Sequence, residues 1–545
     1  MDILQKARAA FKNILGTENF LSDSATLSRY ATTTFATSIR VEGVLLPSCT
    51  EDIQQIVRAA NELRVSLYPV STGKNYGLGS RVPTSQGCFV IDFKRMNKII
   101  ELNRELSYVT LEPGVTFLQL SEYLKANQPD LYLPATGGPP LGSPIGNAIE
   151  RGDGVGPGGD RSNFAAGVEV VLPNGEAIKT GFGALANSKV TKLARYGLGP
   201  ALEGLFFQSN LGIVTRMTLW LRKKPAVYQV ILFSTESDEQ ISPIIEDLRC
   251  LQERGVVQQN SIALYNWHKF LQSEMQYPYD KITGAKVTDL RSALPPFWRK
   301  TRWFAAVGLY SASRLHAFAD KRLVMKALRG RASWSLTLNA RSAKILPLFH
   351  ARLSKVWNID IKRLVRTFYS DTIYLGVPNE INLRSVYWRK RNPRPTSLDP
   401  DRDRCGALWL CQTVPDRAED IIEATKIVDL ISEKHGFEPN ISLMNCTQWS
   451  YRFFAITNYD RDEPGEDARA FACHREIGQA LNDAGYTSYR LGIQSFDAMP
   501  FSDAGYIELL RTIKTSLDPQ DVVAPGRYDF RHLWNQETLR SANDG

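Results

Sequence analysis

The sequence predicts an α+β fold in at least two domains, and three observations carry that prediction. Its 545 residues exceed the roughly 250–300 at which a single hydrophobic core stops growing. Residues 40–130 alternate strand and helix patterns around a glycine-rich loop. Past Pro225 the glycine-rich turns thin out and the character changes. With 43% hydrophobic and 23% charged residues, the composition excludes a disordered or fibrous chain. Basic minus acidic residues give 66 − 57 = +9, a moderate excess. No run reaches the roughly 20 apolar residues of a membrane span, and residues 1–20 lack the apolar core and cleavage site of a secretory signal. The expectation is a soluble, cytoplasmic protein with no membrane partner.

Taken in order, residues 1–20 read as an amphipathic helix with Ile3, Leu4, Ala7, Ala10, Phe11, Ile14 and Leu15 on one face. VEGVLLP is a strand, and TEDIQQIVRAANELR is a helix that Thr50 can cap, with Glu51 and Asp52 at its positive end. VSLYPVSTGKNYGLGS runs from a strand into a glycine-rich loop, and GCFVIDF is a strand again. SYVTLEPGVTF and LQLSEYLKAN give strand, turn and helix. Residues 131–160 are dense in glycine and proline, and a long ordered loop of that kind is usually functional. GVEVVLPNGEAIKTG is a hairpin turning at Pro173-Asn174-Gly175. From 226 to about 380 helical patterns are expected, 387–404 reads as an exposed loop, and a second αβ stretch follows, with a helix closed by Gly436. These signals place one domain at 1–225, a second at 226–500, and a tail, 501–545, returning to the first.

The seven cysteines and six histidines show neither C-x-x-C nor H-x-x-x-H spacing, so free thiols and no metal site are expected. Chemistry must come from the loops. Gly73, Gly77 and Gly79 can turn several backbone N–H groups to one point, as a phosphate requires. The loop fits neither the Walker nor the Rossmann pattern, and alone it reads equally as a tight turn. A second glycine-rich segment, GSPIGNAIERGDG (142–154), points to a large anionic ligand of dinucleotide type. Residues 321–366 hold twelve basic residues against Asp360 alone, interleaved with aromatics, but no nucleic-acid motif accompanies them; a solvated face is the expectation, with no nucleic-acid partner.

The succession PVSTGKNYGLG, VIDFKRMNKIIELN, SYVTLEPGVTFLQLSEYL, GNAIERG, GVEVVLPNGEAIKTG, LEGLFFQSNLGIVTRMTLWL and LDPQDVVAPGRYDF resembles the vanillyl-alcohol oxidase/p-cresol methylhydroxylase family of flavoproteins. The resemblance is close over about 40–225 and looser over 400–530. It implies an FAD-binding αβ domain and a mostly antiparallel-sheet cap domain over the isoalloxazine ring. Ser71, Thr72, Gly73, Lys74, Asn75, Tyr76, Gly77, Leu78 and Gly79 would cradle the pyrophosphate. Gly146, Asn147, Arg151, Gly152, Gly212, Ile213 and Val214 would line the rest of the cofactor.

By the same resemblance, Tyr489, Arg490 and Arg527 are the catalytic candidates, holding an anionic phenol. A phenol ionises at neutral pH only where donors and positive charge favour the anion, at about 1.4 kcal/mol per pKa unit. The implied reaction passes hydride from a benzylic-type carbon to flavin N5, with reoxidation by dioxygen or a protein acceptor, in a homodimer. Leu78 stands where the family has a second phenolate-binding tyrosine, and Gly138 where its oxidase branch has an aspartate. Both departures keep open a hydroxy acid, its carboxylate gripped by the two arginines, or a sugar alcohol as substrate. Tight non-covalent binding of the FAD is the expectation, with a tyrosyl link through Tyr451, in CTQWSYRFF, as the alternative.

Overall fold

The computed structural model describes residues 2–279, 290–292, 294, 298–357, 360–498 and 501–529. The rest of the tail, 530–545, lies outside the described residues. Three principal sheets organise the chain. The first is four-stranded in the order Phe20–Leu21, Val41–Leu45, Cys88–Asp92, Leu67–Val70, its last three strands parallel. The helix Thr50–Leu63 makes the crossover between two of them, as parallel pairing requires. Ile53, Ile56, Val57 and Ala60 bury its apolar face, and Phe11 of the helix Ile3–Leu15 meets Phe89 edge-on at 5.0 Å. Ile3, expected on the buried face of that first helix, is 55% exposed. Thr50 is the helix's first residue rather than its cap, and its hydroxyl donates to Glu169 at 3.0 Å.

The second sheet is antiparallel, in the order Ile99–Asn103, Tyr108–Leu111, Ile213–Trp220, Ala165–Val171, Ala177–Lys179. The last pair is the expected hairpin, with Val171 opposite Ala177. The third is an eight-stranded antiparallel sheet: Trp334–Leu338, Val227–Thr235, Trp303–Ser311, Ile262–Asn266, Asn440–Asn445, Ser450–Asp460, Cys405–Pro415, Ser488–Arg490. Four helices, Asp238–Glu253, Arg314–Leu328, Ala418–Lys434 and Glu466–Asp483, pack on one face of it around Ile231, Phe233, Leu408, Leu410 and Phe453. This mixed architecture of an αβ part and a mostly antiparallel part is the predicted fold class.

Two expectations are corrected. The region 226–380 contributes four strands of the large sheet, not helices alone. YQVILFST and FAAVGLY are buried on both faces, so they lack the alternation that marks a half-exposed strand. The segment 387–404 is not an exposed loop throughout. Trp388, Arg389 and Lys390 are buried, with Glu438 and Asp460 as their partners, and Asp401 is 6% exposed. No helix among the described residues is long and apolar enough to cross a membrane.

Candidate active site

The glycine-rich loop leaves the strand Leu67–Val70 and lies against the large sheet. Gly73, Gly77 and Gly79 have φ of 65°, 78° and 114°, where a side chain would strain the backbone. A Cβ on Gly77 would also drive into the Trp409 indole, and one on Gly146 into the Ser71 hydroxyl. Gly77 donates its N–H to Thr34 Oγ1 at 2.9 Å, and its carbonyl accepts from Trp409 N–H at 3.1 Å. Among the described residues no acceptor takes the backbone N–H of Thr72, Gly73, Lys74, Asn75 or Tyr76. Five consecutive donors without an internal partner make an anion-binding nest.

A cleft runs from this loop past the short helix Pro144–Ile149, capped by Ser143 accepting from Gly146 N–H at 3.1 Å, to Ser209, Gly212 and Val214. The large sheet closes it with Trp409, Cys411 and Phe454. Of the residues expected at the cofactor, Ser71 to Tyr76, Leu78, Gly79, Gly146, Asn147, Gly212 and Val214 line the cleft. Gly77 backs Trp409, Gly152 backs Asn147, and the Ile213 side chain packs into the parallel-sheet core. Arg151, at φ 49°, is an exposed turn residue off the lining.

Arg490 and Arg527 both reach the cleft, and a residue that sequence reasoning did not single out joins them. Glu150, 8% exposed, pairs closely with Arg527, accepts from the Tyr528 hydroxyl at 2.9 Å, and lies 3.8 Å from Arg490 Nε. Burial pushes its carboxyl up, but the two guanidiniums outweigh that and hold it below the usual range. Arg490 Nη2 donates to Asn75 at 2.8 Å, while its buried Nε has no hydrogen-bond partner among the described residues. Two cations therefore face one anion, and the balance beside the cleft is positive. Glu150 stands in the quoted GNAIERG, but one acid beside an arginine carries no sequence signal of its own.

Tyr489 and Tyr451 sit elsewhere than expected. The Tyr489 ring is off the cleft lining, under the Arg452 guanidinium at 3.8 Å and edge-on to Phe454. Arg452 in turn reaches Asp153 at 3.3 Å, and burial, as the largest influence, raises that carboxyl to about 6. Tyr451, 1% exposed, lies in the core on the helix-covered face of the large sheet, opposite the cleft-lining Phe454. Successive strand residues face opposite ways, so Tyr451, the alternative site for a tyrosyl link, faces away from the cleft.

The residues fit a dinucleotide such as FAD: a nest of free N–H groups for the pyrophosphate, glycines where a Cβ would fill the cradle, and an aromatic wall of Trp409 and Phe454 on the large sheet. Fold and cleft thus define an FAD-dependent flavoenzyme, and the FAD binding domain family matches residues 41–181. The chain is 40% identical to 1'-carboxy-chondrochloren decarboxylase of Chondromyces crocatus, over 97% of its own length and 98% of that protein's. It is 25% identical to the 4-cresol dehydrogenase [hydroxylating] flavoprotein subunit of Pseudomonas putida, over 96% and 95%. The solved 4-ethylphenol oxidase from Gulosibacter chungangensis, in an isoeugenol complex, superposes with a TM-score of 0.85 at 23% identity, covering 98% of both chains. The chain belongs to the vanillyl-alcohol oxidase/p-cresol methylhydroxylase family of FAD-dependent oxidoreductases.

Proposed function

We propose that the protein removes hydride from a benzylic-type carbon of a small aromatic, phenolic substrate bound between the cleft and the large sheet. The carrying observation is the Arg490 guanidinium in the cleft wall, tied to Asn75 of the glycine-rich loop at 2.8 Å, with an Nε that makes no hydrogen bond among the described residues, on the sheet that carries Trp409 and Phe454. Bound FAD supplies a two-electron acceptor at N5, later reoxidised by dioxygen or a protein acceptor. Arg490 favours the ionised substrate, while Glu150 and Asn75 fix its guanidinium plane. Arg527, locked on Glu150 and donating to Tyr68 at 2.5 Å, adds charge from behind. Residues 1–225 with the returning tail form the FAD-holding domain, 226–500 the cap, and the cofactor is held without a covalent link. A dimer and a cytoplasmic setting complete this reading.

A second reading keeps the flavin and gives the substrate a carboxylate. It is favoured by 40% identity along the whole chain to a protein named as a decarboxylase, and by Leu78 and Gly138, where phenolate-handling groups were expected. Anaerobic bleaching of the flavin separates the two. A 4-alkylphenol should bleach the wild type, and Arg490→Ala should slow bleaching about 100-fold while FAD stays bound. Unchanged single-turnover reduction in Arg490→Ala, or bleaching only by carboxylic acids, overturns the phenolate reading. Acid precipitation should leave the yellow colour in the supernatant.

A further inference from the structure

Lys269 is an unusual residue in the wall of the large sheet. It lies in the helix Trp267–Glu274, whose cap Asn266 accepts its backbone N–H at 2.9 Å, and it is 6% exposed. Its Nζ donates to Ser385 Oγ at 2.9 Å, and no acid among the described residues acts on it. Three other buried cations have carboxylates, Lys390 with Asp460, Lys514 with Asp518 and Arg389 with Glu438, whereas the buried Arg161 is held by Asn147 and the Pro134 carbonyl. An ammonium carries three donors, and a buried charge without a counter-charge is costly unless something else supplies the anion.

Its position says what that anion belongs to. Lys269 and Asn382 line both the cofactor cleft and a second cavity inside the large-sheet unit. That cavity is walled by Tyr265, Phe270, Phe304, Phe368 and Tyr374. Its other charged groups are engaged: Glu274 pairs with Arg363, and Asp360 accepts the Arg363 backbone N–H at 3.0 Å. Of the two cations among the described residues lining this cavity, the one without a carboxylate partner therefore stands at the seam between an aromatic chamber and the cleft.

We propose that Lys269 binds the carboxylate of an aryl-substituted carboxylic acid whose ring occupies this chamber. The inference rests on the cleft being the site of an oxidoreductase, and it selects within that reading a substrate with an aromatic body and a carboxylate. The test is calorimetric titration of the full-length, FAD-loaded protein with 3-phenylpropionate and with its amide, equal in shape and different in charge. The wild type should bind the acid at least tenfold more tightly than the amide. Lys269→Met should bind both alike, Lys269→Arg should keep the preference, and FAD per chain should be equal in all three. If Lys269→Met does not fold, the neutral Lys269→Gln carries the same comparison. Equal affinity for acid and amide in the wild type, no binding of either, or a preference that survives in Lys269→Met overturns the proposal. Because calorimetry does not need turnover, the two ideas fail separately. An acid preference lost on Lys269→Met, in a protein whose flavin no substrate bleaches, keeps Lys269 and sinks the oxidoreductase reading; bleaching by phenols without an acid preference does the opposite.

Discussion

An ammonium buried without a carboxylate weakens the fold that contains it, and Lys269 is such a group. Burial pushes it down to about 8 from its ordinary 10.5. Between those values the unfolded chain binds more protons than the folded one, so this group's contribution to stability rises as pH rises from about 8 to 10.5. Below 8 the full penalty is present, roughly 3 kcal/mol at most. In Lys269→Met the Ser385 hydroxyl keeps a partner, since it also donates to the Asn382 carbonyl at 3.0 Å. Ligand-free Lys269→Met is therefore expected to be more stable than the wild type by about 1–3 kcal/mol at pH 7, a gain that shrinks by pH 10. Urea unfolding at both pH values checks it, and a loss of stability at pH 7 would mark the lysine as structural. At this scale the sequence was legible where backbone geometry dictates the residue. Gly77 and Gly79 announce the loop because other residues would be strained there. Lys269 and Glu150 were not, because their significance lies in what surrounds them, and YNWHKF or NAIERG does not reveal that.

Elements carried information in proportion to their periodicity. The helix Thr50–Leu63 and the hairpin at Asn174-Gly175 show plain patterns and stand where they were expected. The strands Val227–Thr235 and Trp303–Ser311 were missed because a sheet covered on both faces erases alternation. In the strand Ser450–Asp460 a displacement of one residue exchanges the two faces, which is why Tyr451 belongs to the core and Arg452 and Phe454 face the other way. The segment 387–404 looked like a loop because it is polar, yet its polar groups hold the glycine-rich loop. Asp399 pairs with Lys74 at 2.8 Å and accepts from Tyr76 at 3.2 Å, and Asp401 accepts from Ser80 at 2.9 Å. A loop that must present five free N–H groups has few bonds of its own, so these outside ties set its shape. Asp399→Ala should therefore weaken FAD retention about 3- to 10-fold, measured by fluorescence as FAD is diluted out, with little change in the cap's own unfolding. Unaltered retention would show that the loop holds its shape without Asp399.

Across the whole molecule, the tail joins the parallel sheet to the cleft, and Lys514 is the joint. It lies in the helix Ala504–Leu517 at 3% exposure. Its Nζ donates to Asp518 at 2.6 Å and to the carbonyls of Asn210 and Val523, both at 3.1 Å. Asp518 accepts the N–H groups of Val522 and Val523, each at 2.9 Å, which aligns that segment with Leu67. Leu67 then donates to Val522 at 2.7 Å and accepts from Ala524 at 2.8 Å, at the start of the strand that leads into the glycine-rich loop. Three residues beyond Ala524, Arg527 reaches Glu150. The order of dependence runs from a buried ion pair, through a parallel bridge between Val523 and Leu67, to the charge beside the cleft. Removing one partner of such a pair leaves the other charged and buried, at a cost of about 3–5 kcal/mol. Lys514→Met is thus expected to destabilise by that amount and to loosen FAD binding, whereas the same replacement at Lys269 should stabilise. Opposite signs in parallel urea titrations would separate a lysine that completes the fold from one that awaits a ligand. A cost below about 1 kcal/mol for Lys514→Met would mean that Asp518 takes up a proton or water in its place, and that the tail does not depend on the pair.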